Sequence, residues 1–120
     1  MLDFRVEDYA LDGRTHCIEV AGQIDLYTAP TFKARIFDLI DHGKTRVIVD
    51  LSSVSFLDST ALAAFIAALK RVRARGGALS IIVRDYDIER TLEISGLDGL
   101  IPMHPSREAA LAALSSTPDG

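Results

Sequence analysis

Residues 47–69 read VIVDLSSVSFLDSTALAAFIAAL, and the reading of this run decides the fold. Its first five residues, Val47-Ile48-Val49-Asp50-Leu51, are mostly β-branched and apolar, the composition of a short strand covered on both faces in a parallel sheet. From Ala61 the chain becomes rich in Ala and Leu, with Ile66 the lone β-branched residue before Lys70, and favours helix. Between strand and helix lie Phe56-Leu57-Asp58-Ser59-Thr60. Two hydroxyls and a carboxylate at that point are N-cap chemistry, because side-chain oxygens satisfy the backbone N–H groups that a first helical turn leaves unpaired. A hydroxyl at a helix N-terminus beside an acid is also a place where a phosphate is accepted and held.

Composition bounds what surrounds this corner. A chain of 120 residues that is 48% hydrophobic fits one compact domain with a real core. Thirteen basic against 17 acidic residues give a net charge of -4, which speaks against a nucleic-acid partner. Cys17 is the only cysteine, so neither an intrachain disulfide nor a cysteine-based zinc site is expected. The first residues lack the basic start and apolar core of a secretory signal. The longest apolar run, residues 61–69, is far below the ~18 to 20 residues that span a bilayer. These features predict a soluble, cytoplasmic protein with no direct membrane insertion.

Outward from the corner, residues 4–9 and 15–21 are expected to form an antiparallel hairpin around Asp12-Gly13, with Ile18 and Val20 on one face and Cys17 and Glu19 on the other. Cys17 reads as a small packing group without a chemical role. Thr28-Ala29-Pro30 looks like a helix start with a hydroxyl cap and proline in the first turn; Phe32, Ile36, Leu39 and Ile40 then face the sheet until His42-Gly43. In the central helix, Leu62, Phe65, Ile66, Leu69 and Val72 form the expected inward stripe, and Ala63, Ala64, Ala67 and Ala68 its shoulders. Lys70, Arg71, Arg73 and Arg75 crowd its end, where cations complement the helix dipole, before Gly76-Gly77. Residues 78–83 repeat the buried-strand composition and complete a strand–helix–strand unit with parallel strands. A short helix capped by Asp87, an edge strand over 100–103 and a last helix over 107–114 capped by Ser106 close the domain.

Catalysis finds little support in the residues. His16, His42 and His104 fall in a strand, at a helix end and in a late loop, and none pairs with Ser59 or Thr60 as an activating base. Asp58 is no substitute, since an ordinary carboxylate is a weak base for an alcohol. Gly76-Gly77 lies between helix and strand, the wrong side for a phosphate-cradling loop. Asp25, Asp50 and Asp58 invite comparison with a magnesium site, but the lysine that such a site uses after a later strand is replaced by Arg84. A non-enzymatic protein with no catalytic residue, bound metal or cofactor is expected.

The ordered set of motifs resembles the STAS domain family, specifically the bacterial anti-sigma factor antagonists. Asp58-Ser59-Thr60-Ala61-Leu62 is similar to that family's Asp-Ser-(Ser/Thr)-Gly-Leu signature, and Gly22-Gln23-Ile24-Asp25 with Thr28-Ala29-Pro30 to its Gly-Glu-(Leu/Ile)-Asp and Thr-Ala segment. Gly76-Gly77-Ala78-Leu79 and Ile94-Ser95-Gly96-Leu97 match two further blocks. The resemblance implies one STAS domain over residues 3–114, followed by a flexible tail at 115–120. Its fold class would be α/β: a mixed, mostly parallel sheet of four to five strands, about four helices and an N-terminal antiparallel hairpin.

By resemblance the protein is a partner switch. Ser59 is the residue phosphorylated by an anti-sigma factor that is also a serine kinase, and the unmodified form binds that kinase and frees a sigma factor. Asp25, Asp58, Ser59, Thr60 and Ala61 make up the implied partner-binding surface, with Thr60 capping the helix. A phosphatase restores Ser59, the nucleotide belongs to the kinase, and the protein is a monomer or weak dimer. Ala61 and Gln23 depart from the usual Gly and Glu, and the Ala61 methyl is expected to face the incoming kinase. Two alternatives use the same fold: a non-phosphorylated subunit docked on a transporter ATPase, and a stressosome-type scaffold module.

Overall fold

The computed structural model describes residues 3–115. Its five-stranded sheet has the order β1-β2-β3-β4-β5, in which β1 (Arg5–Ala10) is antiparallel to β2 (His16–Ile24) and the remaining neighbours are parallel. The strand β3 (Arg46–Leu57) lies in the middle and β4 (Ala78–Ile82) beside it, with the two-residue β5 (Met103–His104) at the edge. Four helices connect them: α1 (Ala29–Asp41), α2 (Ser59–Ala74), α3 (Tyr86–Ile94) and α4 (Arg107–Ser115), with a 3-10 turn at Leu97–Gly99. The expected single α/β domain with an N-terminal hairpin is therefore the fold observed. The last helix reaches Ser115, and the tail expected beyond it lies outside the described residues.

Both faces of the sheet are covered. On one face α1, α2 and α3 close the main core, where the Phe32 and Phe65 rings meet edge to face with centroids 5.1 Å apart. On the other face α4 closes a smaller cluster around Ile48 and Ile82. This double cover explains why successive residues of β2 such as Cys17 and Ile18, which point to opposite faces, are both buried. Burial pushes the Cys17 thiol up to about 11. Among the described residues no helix is long and apolar enough to cross a membrane.

Several elements differ from the sequence-based expectation. The central strand extends past Leu51 to Leu57, because β3 carries two extra residues against β2, at shifts between Glu19/Ala21 and Gly22/Gln23. Each bulge turns the strand, so Leu51, Val54 and Leu57 point inward while Ser52, Ser53, Ser55 and Phe56 face out. The inward stripe of α2 runs through Ala61, Ala64, Phe65, Ala68, Leu69 and Val72, whereas Ile66 is exposed and Leu62 half-buried. Small residues on that stripe let α2 sit close to the sheet and to α1. Asp85, not Asp87, caps α3, accepting from the Asp87 and Ile88 amides at 2.9 and 3.0 Å. The edge strand begins only at Met103, after Pro102, which has no amide to donate.

Candidate functional site

The ends of β2 and β3 place the corner. Ile24 and Leu57 are partners in register, and the Asp58 amide donates to the Ile24 carbonyl at 3.3 Å. Asp25 and Asp58 thus leave the sheet side by side, each leading into a helix, α1 or α2.

Each acid accepts from backbone amides just after it, Asp58 as a helix cap and Asp25 in a turn. The Asp58 backbone is extended, and its Oδ1 accepts from the amides of Thr60 at 2.9 Å and Ala61 at 3.4 Å. The Thr60 hydroxyl donates to the same oxygen. Asp58 is therefore the N-cap, Ser59 the first helical residue, and Thr60 a donor to the cap instead of a cap itself. That hydroxyl, followed by the two amides, holds the Asp58 carboxyl below the usual carboxylate range. Asp25 closes the turn ahead of α1: its Oδ1 accepts from the Tyr27 and Thr28 amides at 2.9 and 3.1 Å. The hydroxyl of Thr28 does not cap; it accepts from the Asp25 amide at 2.9 Å and donates to the Gln23 carbonyl at 2.7 Å, tying the loop shut.

With capping assigned to Asp58, the Ser59 side chain is left exposed and without a hydrogen-bond partner among the described residues. Asp25, Asp58 and Thr60 are half-buried around it. Ala61 is fully buried and belongs to the main core, so its methyl faces the sheet and not an incoming partner. Asp50, the third acid weighed for a metal, stays in mid-strand opposite Glu19 and Ile82, where its carboxylate accepts from the Ser52 amide. Among the described residues no three His, Cys, Asp or Glu side chains converge as a metal would need.

The structure adds residues that sequence reasoning passed over. Leu26 is 65% and Tyr27 86% exposed in the loop after Asp25, and Phe56 is 47% exposed just before the cap. Beside them an open groove of ≈310 Å³ runs between α1 and α2, floored by Ala29, Ala63 and Ala64 and edged by Leu26, Pro30, Lys33 and Thr60. Two bulky apolar residues inside the polar turn Asp25 to Thr28, with no periodic partner, are the signal by which Leu26 and Tyr27 could have been found. Phe56 had none, because its outward direction depends on the bulge.

Comparison with known proteins agrees with this geometry. The family model of the STAS domain matches residues 8–110. The anti-sigma-B factor antagonist of Bacillus subtilis (strain 168) is 31% identical over 94 residues, which cover 78% of this chain and 85% of that protein. Among solved structures, an anti-sigma factor antagonist from Mycobacterium paratuberculosis superimposes with a TM-score of 0.81 at 27% identity, over 95% of this chain and 94% of that one. The Bacillus cell fate determinant SpoIIAA in its phosphorylated form shares the fold, with a TM-score of 0.69 at 20% identity over 93% and 99% of the two chains. Matching in sequence along the same strands, loops and helix starts that build this corner, the chain belongs to the STAS domain family, among the anti-sigma factor antagonists.

Proposed function

We propose that this protein is a cytoplasmic partner switch whose Ser59 is the phosphorylated residue. Unmodified, it binds an anti-sigma factor with serine kinase activity through the surface around Ser59, and a sigma factor is released. Phosphorylation ends that binding, and a phosphatase restores it. The observation that carries this reading is the division of labour at the start of α2: Asp58 caps the helix and leaves the Ser59 hydroxyl exposed and uncommitted. The protein itself is no enzyme in this reading, since neither a base nor an oriented third group stands beside the serine.

Electrostatics support the switch. A phosphate on Ser59 adds about -1.5 to -2 charge next to Asp58 and close to Asp25. The N-terminal end of α2 offsets only about half an elementary charge. A partner surface that fits the neutral hydroxyl must then bury that charge against two carboxylates, and every 1.4 kcal/mol of mismatch lowers affinity about tenfold. The domain fold is untouched because Ser59 supports neither the cap nor the core. A phosphorylated form of SpoIIAA, which has the same fold, is consistent with such a role for this corner.

The test is incubation with candidate anti-sigma factor kinases and ATP, read by intact mass on wild type and Ser59→Ala. One added phosphate on the wild type and none on the variant is expected. A phosphate that appears in full on Ser59→Ala assigns the modification elsewhere, and association with a transporter ATPase while Ser59 stays unmodified would replace the reading by the transport-subunit one.

A further inference from the structure

The second face of the sheet has an apolar cluster separate from the main core: Ile48 and Ile82 from the strands, Ala110 and Leu114 from α4. No α4 residue enters the main core. The helix is instead clipped down by polar contacts near its two ends. At the first turn the Arg107 guanidinium donates to the Tyr9 hydroxyl and to the Glu19 carboxylate, at 3.2 Å for the latter, while Tyr9 donates to Glu19 at 2.6 Å. Near the last turn Arg46 donates to the Leu114 carbonyl at 2.7 Å. Arg107 is 41% and Glu19 44% exposed, so water competes for the first clip.

On the face of the sheet that α4 covers through Ile48 and Ile82, Cys17, Ile48 and Ser80 are in-register partners across β2, β3 and β4, none more than 2% exposed, and the Arg107 side chain acts electrostatically on Cys17. The Ser80 hydroxyl is buried with no hydrogen-bond partner among the described residues. A buried hydroxyl without a partner disfavours the covered state, and water reaching it would relieve that cost. A helix with few buried contacts, clipped at its first turn by a solvent-facing cluster and lying over an unsatisfied hydroxyl, has the features of a unit that opens below the global unfolding free energy.

We propose that α4 undocks from the sheet as a unit while the rest of the domain stays folded, uncovering a second apolar face through Cys17, Ile48, Ser80 and Ile82. That face lies across the sheet from α1 and α2, whose N-termini frame Ser59, so opening leaves the first surface free. Opening does not depend on phosphorylation.

Cys17, the only thiol of the chain, is a native reporter. The full-length protein is treated with dithionitrobenzoate over a urea series, with rates referred to the unfolded chain. In dilute urea, modification is expected to exceed the rate allowed by global unfolding by on the order of 100-fold, with a shallow urea dependence. Arg107→Ala should raise that rate about tenfold while moving the global urea midpoint little. Native-state hydrogen exchange on the wild type supplies an independent arm, in which the Ala110 and Leu111 amides exchange ahead of the Phe65 amide. Modification that tracks global unfolding at every urea concentration would overturn the proposal, as would α4 amides protected to the same degree as Phe65.

Discussion

At the residue scale, the corner separates two roles that adjacent side chains often share. Asp58 holds the helix start and the Ser59 hydroxyl is left exposed and uncommitted, as the proposed switch requires. Asp58→Ala is expected to lower the urea midpoint at neutral pH, and Asp58→Asn to retain most of it, since Asn is also a good cap. The pH dependence follows from the direction of the shift. Because the folded carboxyl titrates below its ordinary value of 3.8, its contribution is present above that pH and disappears as pH falls through the lower, folded value. Urea melts of wild type and Asp58→Ala should therefore differ at pH 7 and converge in strong acid. Ser59→Asp places a charge at the same position as the phosphate and should weaken binding to the anti-sigma factor at least about tenfold, with folding unchanged, as read by titration calorimetry and circular dichroism. If the loop joins the proposed partner surface, Tyr27→Ala should weaken that binding by a similar factor, and it should shift stability by less than about 0.5 kcal/mol because an 86% exposed ring contributes little to folding. An unchanged affinity for Tyr27→Ala would remove the loop from the interface.

At the element scale, α2 is held by small residues on the inside and by cations at its end. Arg71 pairs with Asp41 of α1 at 2.9 Å and lies over the Phe37 ring, so the basic end of α2 fastens the two helices together. The turn into β4 is equally constrained. A Cβ at Gly77 would overlap the Thr45 carbonyl oxygen and stand 2.8 Å from a Val72 methyl. Gly77→Ala is accordingly expected to lower the unfolding free energy by about 1–3 kcal/mol, measured by urea denaturation. Full stability in that variant would mean that the β3–β4 register adapts freely. Phe65→Ala, which empties the space against Phe32, should cost about 3–5 kcal/mol.

At the scale of the whole molecule, the parallel strands β2 and β3 end together and deliver two helix starts, two acids and Ser59 to one end of the domain, while α4 covers the opposite face of the sheet alone among the described helices. Phosphorylation of Ser59 should therefore be a local event: amide chemical-shift changes confined to residues 24–28 and 56–62, with the rest of the spectrum superimposable. Shifts spreading into α4 would couple the two faces. The sequence by itself determined the order and type of nearly every element, because β-branched runs and apolar periodicity encode burial directly, and it marked Asp58 and Ser59 because cap chemistry is local. Tertiary structure alone decided which oxygen caps, that Ala61 faces inward, that β3 runs on to Leu57 and that Phe56 faces out. Each of these depends on the register between β2 and β3 and on how closely α2 sits on the sheet. Those are distances between residues far apart in the chain, and no local pattern of side chains records them.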